Sequence, residues 1–343
     1  MVRSTPAPTR SSATSSPTAC SSCRRECEMR FSFTDDQRLF AEGLRGLLEN
    51  ECPPASVRAA WDDGSGHLPS LWTQLGDMGV LGLLAPESHG GMGGSLVDAV
   101  LLFQELGRAG VPGPVLEHMV VGAPLLAAVD AGVVDGSTVT SAWIDGGTYA
   151  PHAHVAALLV VDGGYLRGHS FADAHGVDGG RRIFDISGGT HEPLAADFDR
   201  LRDAMAVASA AYLIGLGERM IDIAAEYARQ REQFGKPIGS FQAVKHLMSD
   251  ALLKVEFAKA PTYRAAWSLS NNEPTASRDA SMAKALASEA AYRASRGSMQ
   301  VHGGIGYTWE ADLQLFMKKA WALGRAYGDS VWHRRRVTAS ILG

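Results

Sequence analysis

Cysteine is scarce, and most of it sits where it builds nothing. Three of the four cysteines in the 343-residue chain, Cys20, Cys23 and Cys27, lie within the first 28 residues. A metal knuckle there has no fourth ligand nearby, so no metal is expected. Cys52 stands alone, which excludes a disulfide framework and fits a reducing, cytoplasmic compartment. Basic charge is not in excess either: 32 Lys+Arg face 37 Asp+Glu, a net charge of −5. That gives no electrostatic reason for nucleic acid or an anionic membrane as a partner. No apolar run approaches the roughly 20 residues of a membrane span. The opening stretch has no apolar h-region of the kind that marks a signal peptide. The glycine cluster His89-Gly90-Gly91-Met92-Gly93-Gly94 lacks the G-K-[ST] of a phosphate loop and is taken as a connector.

What remains is an ordinary globular composition, 45% hydrophobic and 20% charged. The length is enough for two or three domains with a real core. Residues 1–28 are rich in Ser, Thr, Pro and Ala and are expected to be disordered, with Met29 as a natural start. A helical domain is expected over 29–130. Thr34 or Asp35 opens its first helix, Leu39, Phe40, Leu44, Leu47 and Leu48 follow helical spacing, and Pro53 and Pro54 stop it. A second helix is expected from Ser70 to Met78, ending at Gly79. Ser95 can cap a third from Leu96 to Gly107, and Pro112, Pro114 and Pro124 break the chain afterwards.

Residues 131–195 change character. Short apolar runs at 141–144, 155–161 and 182–186 between glycine turns read as strands, with room for about three to five. From 196 to 343 the pattern is helical. Leu213, Leu216, Met220, Ile223 and Tyr227 form one packing stripe, and Val244, Met248, Ala251, Val255 and Ala258 another. Ala280, Ala283, Ala287, Ala290 and Ala294 form a third whose small side chains allow close packing. Pro261 should kink the second of these helices, and the set makes a bundle of about four.

Two motifs close helices of this bundle. In Arg231–Gly239, an arginine fork sits beside Phe234 and a glycine turn, which suits a phosphate next to a flat ring. In Gln300–Tyr307, Gly303 and Gly304 let the backbone approach a bound group while Gln300 offers an amide. Each motif also has a plain reading as a helix end with glycine beyond it; the pair together suits a pyrophosphate-containing nucleotide.

The stretches EYARQREQFGKPIGSFQAVKHLMSD and MQVHGGIGYTWEADLQLFMKKA resemble the carboxyl-terminal helical domain of acyl-CoA dehydrogenases. LGDMGVLGLLAPESHGGMGGSLVDAVLLFQELGRAG is similar to the amino-terminal domain of the same family. The resemblance implies a mostly α fold with a small central β domain: an N-terminal helical domain, a reduced β middle domain and a C-terminal four-helix bundle. It implies FAD as cofactor and oxidation of acyl-CoA thioesters to 2-enoyl-CoAs. Carried over position by position, it assigns Arg231 to the pyrophosphate and Gln233 and Phe234 to flavin contacts. Gln242 gains a further polar contact, and Gln300, Gly303 and Gly304 the nucleotide end.

The same resemblance exposes what is missing. The family's TEPGAGSD-like and WITN-like flavin-contacting segments are absent from the middle of the chain. Its glutamate base occupies one of two places, and these hold Met205 and Tyr327, or Gly328 with a one-residue slip. Asp203 and Asp329 are the nearest carboxylates, and His302 and His333 are further titrating groups; His302 is expected to bond locally. The chain therefore resembles most the shortened, base-less subunit of actinobacterial heteromeric dehydrogenases acting on steroid side-chain thioesters. Such a subunit pairs with a catalytic one in an α2β2 heterotetramer and implies electron-transfer flavoprotein as a further partner. A self-sufficient dehydrogenase using Asp329, or a non-enzymatic scaffold of the same fold, are the alternatives.

Overall fold

The computed structural model describes residues 32–343. Cys20, Cys23, Cys27 and the proposed start at Met29 lie outside the described residues. Helix α1 runs Asp35–Glu51, with Asp35 and Asp36 in its first turn, where carboxylates complement the exposed amides and the helix dipole. Leu44 and Leu48 are buried, but Leu39 is exposed, so the apolar stripe is narrower than the spacing suggests. Helix α1 ends at Glu51, ahead of Pro53, and Pro54 begins α2, Pro54–Asp62, at whose first turn its missing N–H leaves no bond unmade. Helix α3, Pro69–Asp77, begins in the same way.

Helix α4, Leu96–Ala109, is opened by a reciprocal capping box between Ser95 and Asp98 and closed by left-handed Gly110. Pro112 and Pro114 interrupt the chain as expected. Pro124 does not: it sits early in α6, Ala123–Leu126, which continues α5, Val115–Glu117, through a π-helical turn at His118–Gly122. Helix α7 is the single turn Gly132–Asp135.

The middle of the chain holds seven strands, more than the three to five expected. One sheet has the order β1-β3-β4-β7, from Thr140–Trp143, Leu158–Val161, Gly164–Arg167 and Thr190–Pro193. The other has the order β2-β6-β5, from Ala150–Pro151, Ile183–Ser187 and Ser170–Ala174. The extra strands are polar or very short, and they exist because neighbours of strong β character pair with them. Leu159↔Leu166 and Tyr165↔Glu192 set the β3–β4 and β4–β7 registers. Phe184, buried, anchors a small core with Ala150, Ala153 and Leu159.

The bundle consists of α8 (Phe198–Gln230), α9 (Gln242–Ser270), α10 (Ala276–His302) and α11 (Leu313–Arg325), with α12 (Ser330–Leu342) against it. A short β8–β9 hairpin, Glu232–Gln233 and Lys236–Pro237, joins α8 to α9. All five alanines of the α10 stripe are buried. Helix α4 lies directly on α8: a Cβ on Gly107 would meet the Tyr212 carbonyl oxygen at 2.1 Å, and one on Gly215 the Gln104 oxygen at 1.9 Å. Only glycine permits that backbone approach. Pro261 lies inside α9, which is one continuous helix from Gln242 to Ser270. By length and composition α8 is apolar enough to cross a membrane, but 89% of its apolar window is buried within the fold.

Candidate functional site

The two motifs read from the sequence meet at one end of the bundle. Ala224 and Ala228 near the end of α8, Val301 near the end of α10, and Val244, Leu247 and Met248 at the start of α9 pack into one apolar cluster with Ile238. Burial of this cluster joins the ends of three helices. Above it Tyr227 stacks on His302, with ring centroids 4.4 Å apart and planes at 14°. The His302 Nδ1 lies 2.7 Å from the Ser298 carbonyl, so His302 bonds locally, as expected. Burial lowers its pKa, which that bond partly offsets.

Arg231 terminates α8 in an extended conformation. The turn beyond it is not simply a glycine-capped helix end. Phe234 and Gly235, at φ 54° and 75°, form the tip of the hairpin, as in a two-residue turn with both central residues left-handed. The Ile238 amide closes it on the Arg231 carbonyl at 2.8 Å. A left-handed phenylalanine is uncommon, and this one is 91% exposed. It touches Phe241 edge-on at 6.0 Å, and the Lys236 ammonium lies 4.5 Å from the Phe241 ring centre. The sequence hides this hairpin because Phe-Gly lacks the Asn or Asp that usually marks such a turn.

Arg231, Gln233, Gln242, Gln300, Gly303 and Gly304 are all exposed on these elements. Among the described residues, the Arg231 guanidinium makes no hydrogen bond or ion pair. Gly303 has φ 62° and ψ −137°, a region essentially reserved for glycine. A Cβ at Gly303 or Gly304 would meet nothing within 4 Å. The unpaired guanidinium, the exposed amide side chains and the sterically open glycine backbone make a surface suited to a pyrophosphate and its nucleoside, although the Gln233 amide donates to the Glu232 carbonyl at 2.7 Å and the Gly303 N–H to the Met299 carbonyl.

The positions at which the sequence resemblance leads one to expect the base lie elsewhere and are filled. Met205 is fully buried in α8. Asp203, near it, is buried and held by Arg336 at 2.7 Å. Tyr327 is buried and left-handed at φ 57°. Its hydroxyl donates to Glu117 Oε1 at 2.5 Å and accepts from Arg181 Nη2 at 3.2 Å. Arg181 also forms a close ion pair with Glu117. Burial raises the Tyr327 pKa well above that of an ordinary phenol; Arg181 opposes this and Glu117 reinforces it. A phenol so held keeps its proton and cannot act as a base near neutral pH.

Gly328 offers its carbonyl to the buried Lys284 Nζ at 3.1 Å, alongside the Leu323 and Gly324 carbonyls. Burial, with a contribution from Arg181, pulls Lys284 down to about 7. Asp329 caps α12 by accepting from the Trp332 amide at 2.8 Å. His333 is buried against the Tyr327 carbonyl at 2.9 Å.

Sequence reasoning missed Glu117, Arg181 and Lys284. The only signals were a glutamate inside the apolar run VLEHMVV and a lysine inside an alanine stripe. The space beside Glu117, His152 and Arg181 is about 20 Å³, enough for a water and not for an acyl chain.

A wider cleft of about 990 Å³ opens between the middle sheets and α10–α12. Its lining includes four carboxylates, and each already has a partner. Asp145 accepts from the Gly147 amide at 3.0 Å, Asp178 pairs with Lys319 at 3.3 Å, Glu289 pairs with Arg334 at 2.6 Å, and Asp329 caps α12. Among the described residues, no group of three or more His, Cys, Asp or Glu could hold a metal ion.

Residues 203–342 match the family model for the acyl-CoA dehydrogenase C-terminal domain, and residues 34–130 that for the N-terminal domain. The chain is 36% identical over 297 residues to the acyl-CoA dehydrogenase IpdE2 of Mycobacterium tuberculosis, covering 83% of this chain and 91% of that protein. Its fold superposes on the Tcur3481–Tcur3483 steroid ACAD G363A variant with a TM-score of 0.81 at 22% identity, covering 90% of this chain and 98% of that one. It also superposes on the ChsE4–ChsE5 complex of Mycobacterium tuberculosis with a TM-score of 0.79 at 24% identity, over 92% and 99% of the two chains. At these identities the two superpositions speak for the fold.

Proposed function

The chain belongs to the acyl-CoA dehydrogenase family, and from that membership we propose that it is the non-catalytic subunit of a two-chain, FAD-dependent enzyme forming 2-enoyl-CoA thioesters. FAD is the cofactor of the family. When bound, it supplies the redox chemistry of the reaction. This chain's contribution is to hold the end of the cofactor away from the ring. Arg231 meets the pyrophosphate, and Gln233 and Phe234 approach the flavin side. Gln242 adds a polar contact, and Gln300 with the open backbone of Gly303 and Gly304 receives the nucleotide. The catalytic subunit provides the ring site and the base.

One asymmetry carries the reading. The nucleotide-side side chains are exposed, and among the described residues the Arg231 guanidinium has no hydrogen-bond or ion-pair partner. The base position holds a phenol locked to Glu117 and Arg181, and Asp329, the alternative base, caps a helix. The heterotetramer and the bulky, steroid-derived acyl group belong to the same proposal and follow from the sequence resemblance to base-less subunits of heteromeric dehydrogenases. Electron-transfer flavoprotein is the expected acceptor.

The test is to purify the chain alone and together with a dehydrogenase encoded beside it, then measure flavin per chain, native mass and turnover. The isolated chain should be colourless and inactive, and the pair yellow and active. Stoichiometric flavin with turnover in the isolated chain refutes the proposal.

A further inference from the structure

We infer that Arg58, in the N-terminal helical domain, is a positioning residue that fixes the glycine segment at the nucleotide end of the site; the inference rests on the function proposed above. The segment from Gly303 to Asp312 leaves α10 as a 3-10 turn, Gly303–Tyr307, and then runs without regular structure to α11. Such a segment has few hydrogen bonds of its own and needs anchors to hold one shape. Two are present. At Gly306, the buried Gln314 side chain donates to the carbonyl at 2.5 Å. At the far end, a single guanidinium grips two points. Arg58 Nη1 donates to the Trp309 carbonyl at 2.7 Å and Nη2 to Asp312 Oδ1 at 2.7 Å.

The grip is reinforced by ring contacts. The Arg58 guanidinium lies 5.6 Å from the Trp309 ring centre and the Lys318 ammonium 4.1 Å on the same ring. The Trp309 ring leans on Trp61 of α2 at 5.7 Å. Arginine's planar fork reaches the carbonyl and the carboxylate from two separate nitrogens in a fixed geometry, which the single nitrogen of a lysine does not reproduce. The consequence follows from chain connectivity. No group packs over the Cβ side of Gly303 or Gly304, where an added Cβ would meet nothing within 4 Å, and the Gly303 N–H is held by the Met299 carbonyl of α10. Their placement is therefore set by the helix before them and the anchors after them, and the farther anchor belongs to a different domain. Loss of that anchor loosens the backbone that faces the nucleotide without touching Arg231 or Gln300.

The experiment compares the native chain with Arg58→Ala and Arg58→Lys, adding Arg58→Gln should the alanine variant fail to fold. Amide hydrogen exchange is read over residues 303–312 in the chain alone. FAD affinity is read in the complex with the catalytic subunit. The expected result is roughly tenfold faster exchange confined to that segment in Arg58→Ala, with a severalfold weaker FAD dissociation constant and a partial effect in Arg58→Lys. Unchanged exchange over 303–312, FAD held as tightly by Arg58→Ala as by the native complex, or full rescue by lysine overturns the inference. A native complex that holds no FAD overturns the parent proposal instead, and the exchange measurement then judges the Arg58 anchor by itself.

Discussion

The Tyr227 ring lies nearly flat on the His302 imidazole, at 4.4 Å and 14°, and this stack ties the end of α8 to the end of α10. Aromatic contacts of this kind contribute about 0.5–1.5 kcal/mol beyond area burial. His302→Ala should therefore lower stability by about 1–2 kcal/mol, counting the lost Ser298 bond. It should also reduce flavin retention in the two-chain complex, because Arg231 and Gly303 each follow one partner of the stack. Chemical denaturation and flavin absorbance check the two effects separately.

Arg231→Ala should behave in the opposite way. The side chain is exposed and, among the described residues, unpaired, so stability should change by no more than about 0.5 kcal/mol. Flavin content of the complex should nevertheless fall at least tenfold. A variant that retains full flavin would show that the guanidinium has no cofactor role.

The two glycines separate backbone strain from ligand approach. Gly303→Ala places an L residue at φ 62° and ψ −137° and should cost about 1–3 kcal/mol of stability. Gly304 has no such φ, and its Cβ would meet nothing, so Gly304→Ala should leave the melting temperature almost unchanged. If the nucleotide lies against this backbone, the same substitution weakens FAD binding. Thermal melts of the chain and flavin titration of the complex distinguish the two positions.

Removing Arg181 should be severe. Glu117 is buried, with Arg181 and the Tyr327 hydroxyl as its partners. Arg181→Met leaves a buried carboxylate without its countercharge, at about 3–5 kcal/mol. Tyr327→Phe keeps the ion pair and should cost only about 1–3 kcal/mol. Paired denaturant curves check the ranking, and a milder effect from Arg181→Met than from Tyr327→Phe would contradict this account of the cluster.

Acid should destabilise the fold through buried imidazoles. His118 is fully buried, with Nε2 2.9 Å from the Val133 carbonyl and Nδ1 accepting from the Thr140 amide at 3.2 Å. Burial lowers its pKa to about 4, the Val133 contact opposing. The unfolded chain, with an imidazole near 6.5, takes up the proton first as pH falls. Stability is thus fully present above about pH 6.5 and is lost between there and about pH 4, by about 3 kcal/mol for this group. Stability curves measured from pH 7 to 4 should show that slope, and His118→Asn should flatten part of it.

Local pattern by itself determined most of the helical scaffold. The alanine stripe of α10, the Ser95 cap and the Phe-Gly and Gly-Gly motifs are short-range features, and short-range sterics and periodicity define them. The lack of a glutamate at 205 and 327 was equally plain from the sequence. The extra strands, the hairpin at Phe234–Gly235 and the helical continuation through Pro124 were not, because each depends on a neighbour that is distant in the chain or on a turn with an atypical residue. Only the tertiary structure decided that Arg231 and Gly303 share one end of the bundle, and that Tyr327 is sealed by Glu117 and Arg181. Those pairings arise from the burial of side chains far apart in sequence, and local periodicity carries no record of which distant group will satisfy a buried charge.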